Sequence, residues 1–77
     1  MADLRQVLAE VFAVPAANLN DDMALSDIAS WNSLMHIELV VRLEEVFQVE
    51  LTQDDIVEMT SLTAIRAVLR QRGAVLD

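Results

Sequence analysis

Apolar side chains recur at helical spacing near the start of this 77-residue chain. Within residues 3–13 they occupy positions i, i+3, i+4, i+7 and i+8, which predicts an amphipathic helix with Asp3 at its N-cap or in its first turn. Pro15 disfavours helical geometry at Val14, so we expect the helix to end near that residue. The apolar positions are Leu4, Val7, Leu8, Val11 and Phe12.

The helical spacing is lost over residues 15–31, which we expect to form a long first loop. Asn and Asp residues, which favour turns, are concentrated at positions 18–22. A loop of this length in a small domain is functional or is packed down by its own side chains. Four apolar residues are predicted to hold it on the core: Leu19, Met23, Leu25 and Ile28.

A second helix is predicted from about Ser33 to Phe47. When its residues are placed at about 100° per residue, a charged face separates from a core face. The charged face consists of Glu38, Arg42 and Glu45. The predicted core face consists of Leu39, Val40, Leu43, Val46 and Phe47.

The second helix also has a second apolar stripe, formed by Leu34, Ile37 and Val41, beside its charged face. One interpretation is a wider core contact that the long loop covers. The other is a surface that docks a partner protein, with an apolar centre and a rim of carboxylates. The flanking carboxylates are Glu38 and Glu45 on one side and Glu44 on the other.

Capping signals predict two further helices. Thr52 and Asp55 match a capping box, which places a short third helix near residues 53–58. Thr60 or Ser61 then caps a fourth helix, and two arginines followed by glycine mark its end. These residues are Arg70, Arg72 and Gly73, and the core positions are Leu62, Ile65, Val68 and Leu69. The pattern predicts an all-α fold, a small four-helix bundle with three longer helices, a short third helix and a long first loop.

Composition favours a single helical domain, predicted to span residues 1–77. Hydrophobic residues make up 55% of the chain, with one Gly and one Pro to interrupt helices. The 13 acidic residues outnumber five basic ones, and the net charge of −8 argues against nucleic acid and anionic membranes as partners. It favours basic patches on partner proteins. No segment reads as a signal peptide or membrane span, so we expect a cytoplasmic location.

The chain has no cysteine and one histidine, which argues against disulfides and against a zinc site. The acidic residues do not have the spacing of a calcium loop either, so we predict no metal. Thioester chemistry would therefore need a thiol from a cofactor.

Ser33 stands at the predicted start of the second helix, where two roles are open to it. Either Asn32 or Ser33 can cap the helix, because both side chains accept hydrogen bonds from free amides. Alternatively, the Ser33 hydroxyl can carry a phosphate ester, since the free N–H groups and the dipole of a helix N-terminus stabilise an anion.

Three runs around this serine form a longer pattern: Ser30-Trp31-Asn32-Ser33-Leu34, Glu38-Leu39 and Leu43-Glu44-Glu45-Val46-Phe47. They resemble the acyl carrier protein family, whose usual pattern is Gly-x-Asp-Ser-Leu followed by Glu-Leu and Leu-Glu-Glu-x-Phe. The resemblance reaches back to Leu25 and forward through Glu50-Leu51 and Asp54-Asp55 to Thr60-Ser61-Leu62, so it covers nearly the whole chain. The runs, their spacing and the total length are specific only in combination.

The resemblance implies that a phosphopantetheinyl transferase attaches 4′-phosphopantetheine from coenzyme A to Ser33, next to Asn32 and Leu34. The thiol of that arm would carry an acyl, aminoacyl or polyketide group as a thioester. A loading ligase and downstream synthase or transferase enzymes would dock through basic patches, and the carrier itself would be a monomer without catalytic activity. By analogy, the docking residues are Leu34, Ile37, Glu38, Val41, Glu44 and Glu45.

Two positions depart from the family pattern. Ser30 replaces Gly, so the turn before the helix cannot rely on the conformational freedom of glycine. Asn32 replaces Asp, which keeps the capping ability and loses the charge, so we expect slower loading by any transferase that binds the carboxylate with a cation. Trp31 covers the start of the helix or contacts the arm or a partner. His36 is a hydrogen-bonded histidine at the edge of the bundle or lines the mouth of a cargo pocket.

Three other functions compete with an acyl carrier. An enzyme that pairs Ser33 with His36 and Asp27 would lack both a Gly-x-Ser-x-Gly turn and a second base. An unmodified acidic docking module explains the charge and the second stripe, but it leaves the serine of the motif unexplained. An aminoacyl or peptidyl carrier of nonribosomal peptide-type synthesis stays open, although the acidic second helix favours acyl carriers.

Overall fold

Four helices form the fold in a computed structural model that describes residues 3–74. They are α1 (Leu4–Phe12), α2 (Ser33–Phe47), α3 (Gln53–Glu58) and α4 (Leu62–Gln71). No strand occurs among the described residues, although Ala24 and Ser61 form one isolated bridge. The predicted all-α four-helix fold is confirmed. The predicted domain of residues 1–77 also includes residues 1–2 and 75–77, which lie outside the described part.

The capping side chains begin the helices where the sequence predicted. Asp3 accepts a hydrogen bond from the Arg5 N–H at the start of α1. Thr52 and Asp55 form the reciprocal capping box of α3. Ser61, of the two candidates, caps α4. At the other end of α1, the helix closes at Phe12, because Ala13 adopts the left-handed conformation with φ 55°.

The core is aliphatic and draws on all the long helices and on the loop. Most of the predicted core positions are fully buried, whereas Val11, Met23, Val46 and Phe47 are half-buried at its edge. Burial of these side chains supplies the main driving force for folding. The fully enclosed residues are Phe12, Leu8, Leu39, Leu43, Met59, Leu62, Ile65 and Leu69.

The long loop lies on the core through two short 3₁₀ turns, Ala16–Asn18 and Leu25–Asp27. Polar bonds that the sequence did not predict hold it there. Asp21 Oδ1 binds Arg5 at 3.0 Å and Arg66 at 2.7 Å, so the loop is tied to both α1 and α4. The Arg66 guanidinium, assisted by Arg5, holds the pKa of the Asp21 carboxyl below its usual value.

A third ion pair fixes α3 on the end of α4. Arg72 donates two hydrogen bonds to the Asp55 carboxylate, at 2.8 and 3.0 Å. Asp55 is only 4% exposed. The Arg72 guanidinium, with the Thr52 backbone N–H, lowers the pKa of this carboxyl to about 2. The sequence had assigned Asp55 to the capping box and Arg72 to the helix end, but it did not pair them.

Residues 3–74 contain neither a membrane-spanning helix nor a cluster of metal ligands. None of the helices there is both long and apolar enough to cross a membrane. No group of three or more His, Asp or Glu side chains in that part of the chain is arranged to hold a metal ion.

Candidate functional site

Ser33 is the first residue of α2 and is exposed to solvent. Asn32 provides the cap, since its side-chain oxygen accepts a hydrogen bond from the Met35 N–H at 2.8 Å. The structure therefore settles which of the two polar residues caps the helix. Within residues 3–74 the Ser33 hydroxyl makes no hydrogen bond, which leaves it available for chemistry.

The backbone around Ser33 suits an anionic substituent on its hydroxyl. Asn32 occupies the Met35 N–H, and the first helical bond runs from the His36 N–H to the Asn32 carbonyl at 3.0 Å. The N–H groups of Ser33 and Leu34 precede that bond and have no acceptor within the described residues. Free amides and the positive end of the helix dipole stabilise a phosphate at this position. The residues present thus fit a phosphodiester on Ser33.

Ser30, the other serine of the motif, has a structural bond instead. Its hydroxyl donates to the Phe12 carbonyl at 2.7 Å and ties the loop before α2 to the end of α1. Among the described residues other than glycine, positive φ angles occur only at Ala13 and Gln48. The turn at Ser30 therefore does not need the freedom of glycine, and the departure from the family pattern adds a hydrogen bond.

The second apolar stripe of α2 faces solvent. Leu34 is 68% exposed, Ile37 50% and Val41 48%, and the long loop does not cover them. The interpretation of the stripe as a wider core contact is therefore wrong. This leaves the interpretation of the stripe as a docking surface as the prediction that its exposure is compatible with.

The three carboxylates beside the apolar stripe differ in their exposure and in their hydrogen bonds. Glu38 and Glu45 are exposed, and with Arg42 they line a groove of about 340 Å³ between α2 and α1. Glu44 is half-buried, and its Oε2 accepts the Leu51 N–H at 3.0 Å. Glu44 thus holds the loop after α2, in addition to its predicted place at the rim.

Trp31 and His36 meet at the start of α2, beside an apolar groove of about 320 Å³. Their rings pack edge to face with centroids 6.0 Å apart. His36 Nε2 lies 3.0 Å from the Ile56 carbonyl, which makes it the hydrogen-bonded histidine that the sequence predicted. Trp31 and His36 also line the groove, and their contact with an arm, a cargo or a partner stays a prediction.

The arrangement does not support the catalytic triad considered above. The two ring nitrogens of His36 bind Trp31 and the Ile56 carbonyl, and neither binds Ser33 or Asp27. In the described part of the chain, no hydrogen bond joins Ser33 to a group that could act as its base.

Two surface features escaped the sequence analysis. Val57 on α3 is 70% exposed at the groove, although α3 is otherwise a capped packing helix. Glu10 on α1 binds Arg42 on α2 at 3.3 Å at the edge of the other groove. The short third helix has too few turns for its apolar spacing to show which of its faces is exposed. Pairing Glu10 with Arg42 from the sequence would require knowledge of the angle between α1 and α2.

Comparison with known families identifies one match over most of the chain. Residues 2–69 match the family model described as the phosphopantetheine attachment site.

Two curated relatives carry polyketide synthase names. The chain is 29% identical over 76 residues to non-reducing polyketide synthase AC of Didymella fabae, covering 99% of this chain and 3% of that protein. It is 30% identical over 69 residues to polyketide-8 synthase acyl carrier protein 2 of Streptomyces avermitilis, covering 90% of this chain and 79% of that protein. The chain thus spans a small part of the first relative and most of the second.

The fold also has a solved counterpart. It is similar to the solution NMR structure of a holo acyl carrier protein from Geobacter metallireducens, with a TM-score of 0.79 at 20% identity. The similarity covers 90% of this chain and 79% of that one.

Proposed function

The chain belongs to the acyl carrier protein family of phosphopantetheine attachment domains, and we propose that it carries biosynthetic intermediates on an arm attached to Ser33. The prosthetic group of this family is 4′-phosphopantetheine, whose terminal thiol holds cargo as a thioester. Carrier domains of this type are generally not catalysts. In our proposal this chain likewise transfers nothing itself and acts as a cytoplasmic monomer, a phosphoprotein in its loaded form.

One observation carries the assignment to Ser33: an exposed serine hydroxyl, which makes no hydrogen bond within residues 3–74, stands at the first position of a helix that Asn32 already caps. The free amides of Ser33 and Leu34 favour the phosphate. Asn32 positions this turn without contributing charge. The neighbouring Ser30 is the less suitable acceptor, because its hydroxyl is bound to the Phe12 carbonyl.

Docking is proposed on the exposed face of α2. Leu34, Ile37 and Val41 supply an apolar centre, and Glu38 and Glu45 supply accessible carboxylates at its rim. Glu44 contributes its remaining oxygen. Partners with basic patches fit this face: a phosphopantetheinyl transferase, a loading ligase, and downstream synthase or transferase enzymes.

The cargo is proposed to be a polyketide or related acyl intermediate. Both curated relatives are named as polyketide synthase proteins, which favours this class over aminoacyl or peptidyl cargo. Trp31 and His36 are proposed to contact the arm or its cargo, because they line an apolar groove at the start of α2.

Intact-protein mass spectrometry after incubation with coenzyme A and a broad-specificity phosphopantetheinyl transferase tests the attachment. We expect the wild type and Ser30→Ala to gain one phosphopantetheine and Ser33→Ala to gain none. Ser30→Ala is the matched control, since it removes a serine hydroxyl from the same motif. If no protein is modified across several transferases, the unmodified docking module becomes the better description.

The docking face has its own test. Ile37→Ser should weaken binding of the transferase, measured by titration calorimetry, while Thr63→Ser on the exposed side of α4 should leave it unchanged. Equal affinity for Ile37→Ser and the wild type would remove α2 from the interface.

A further inference from the structure

We propose that His36 is a positioning residue that holds α3 against α2 and thereby sets the width of the groove beside Ser33. The His36–Ile56 bond does not depend on attachment of phosphopantetheine to Ser33. Only the expected effect of the groove on bound cargo rests on the proposed function.

The short helix α3 depends on contacts with other elements for its position. A helix of six residues is not stable alone, because its few hydrogen bonds do not compensate for the ordering of its backbone. Two side chains from other helices bind it. Arg72 of α4 binds Asp55 in its first turn, and His36 of α2 binds the carbonyl of Ile56 near its end. Glu44 of α2 binds the loop before α3, and His36 is the α2 side chain that binds α3 itself.

The chemistry of the two bonds assigns a single form to the His36 ring. A carbonyl can only accept, so the hydrogen that Nε2 directs at Ile56 lies on that nitrogen. The indole N–H of Trp31 can only donate, and it lies 3.4 Å from Nδ1, which must supply a lone pair. The two contacts together place the ring hydrogen on Nε2 and a lone pair on Nδ1.

The His36–Ile56 bond joins two of the residues that line the groove. Trp31 and His36 line it at the start of α2, and Ile56, Val57 and Met59 line it from α3 and its C-cap. No Asp, Glu or Arg side chain of the described residues lines it, so the bound histidine leaves the interior apolar. If the His36 bond is lost, α3 keeps its anchor at Asp55, and its Ile56 end is held by the packing of Met59 without the hydrogen bond to α2. We expect larger local motion at that end and hence a less fixed groove.

Two substitutions at position 36 separate the bond from packing. In His36→Gln, the side-chain amide nitrogen lies the same number of bonds from the backbone as Nε2, so it can still donate to Ile56. His36→Leu keeps a side chain of helical preference and similar bulk but has no donor. Trp31→Phe removes the indole N–H and leaves the Ile56 bond in place.

The experiment is amide hydrogen exchange by NMR on the unmodified protein, so its outcome does not depend on loading at Ser33. Exchange in α3 relative to α4 should rise about fivefold in His36→Leu, the factor that corresponds to one net hydrogen bond of about 1 kcal/mol. His36→Gln and Trp31→Phe should keep most of the protection. Thr63→Val, which removes the side-chain hydrogen bond from Thr63 to the Asp21 carbonyl and does not touch His36 or Ile56, is the control and should leave the ratio unchanged.

The ring form has a spectroscopic signature of its own. His36 is the single histidine of the chain, so its ¹⁵N ring shifts are read without overlap, and we expect the Nε2–H tautomer at neutral pH. An Nδ1–H tautomer, or equal α3 exchange in the Leu and Gln variants, would overturn the proposal. On the loaded protein, faster thioester hydrolysis in His36→Leu than in His36→Gln would show that the His36 bond also protects the cargo from water.

Discussion

Asn32 allows the capping role and the missing charge of the motif to be measured separately. Its side-chain oxygen accepts the Met35 N–H at 2.8 Å. Removal of such a cap by alanine costs about 1 kcal/mol, within a range of roughly 0.5–2. For a domain of this size, that loss lowers Tm by about 4–8 °C. Asn32→Ala should therefore show a clear single-step loss of thermal stability.

Asn32→Asp should behave in the opposite way. A carboxylate keeps the hydrogen bond to the Met35 N–H and interacts favourably with the helix dipole, which adds about 0.3–1 kcal/mol at low ionic strength. The gain should shrink when salt is added, because the screening length is about 10 Å at 0.1 M. The Asn32→Ala loss should change little with salt, since a neutral hydrogen bond is not screened in this way.

Loading by a phosphopantetheinyl transferase gives the functional half of this prediction. If the transferase contacts the residue before Ser33 with a cation, Asn32→Asp should raise kcat/KM by roughly 1.5- to 5-fold, the effect of one exposed ion pair. Asn32→Ala should not raise it. The assays are thermal unfolding followed by circular dichroism at two salt concentrations, and initial rates of mass gain. Equal Tm values for Asn32→Ala and the wild type would refute the assignment of Asn32 as the cap.

Three further predictions concern stability. Leu43→Ala should cost about 2–5 kcal/mol in chemical denaturation, because Leu43 is fully enclosed, and a cost under about 1 kcal/mol would mean that the core is open there. Asp55→Asn should lower Tm by a constant amount above pH 3.8, and the difference in Tm from the wild type should fade as the pH drops through about 2. The reason is that the folded protein lowers the pKa of Asp55 to about 2, and this carboxylate stabilises the fold only while it is ionised. A difference that stays constant down to pH 2 would contradict the bond to Arg72. Ser30→Ala should cost about 1 kcal/mol through loss of the bond to Phe12, and an unchanged Tm would contradict that bond.

Local signals in the sequence were sufficient for the helices and for most of the core. Caps such as Asp3 and the Thr52–Asp55 box act within three residues, so they specify where a helix begins regardless of the rest of the chain. Apolar periodicity then identifies the buried face of each helix, which is why Leu39 and Leu43 were assigned to the core correctly. The motif around Ser33, with its spacing to the acidic helix, also predicted the family.

Contacts between distant segments could not be predicted in this way. Arg72 and Asp55 are 17 residues apart, and Arg66 and Asp21 are 45 apart. One sequence contains no distance information that would pair them. The same holds for the exposure of the stripe at Ile37, since apolar spacing cannot tell a face that packs from a face that docks.

For this protein the sequence alone determined the helical fold and the approximate helix starts, because those depend on interactions between near neighbours, and its motif predicted Ser33 as the attachment residue. The tertiary structure decided that Asn32 caps α2 while the Ser33 hydroxyl makes no hydrogen bond to the described residues, and that Leu34, Ile37 and Val41 face solvent. It also decided that His36 binds the Ile56 carbonyl beside the groove. The reason is physical: burial and hydrogen bonding between distant elements depend on how the helices pack, and that packing minimises the free energy of the whole chain.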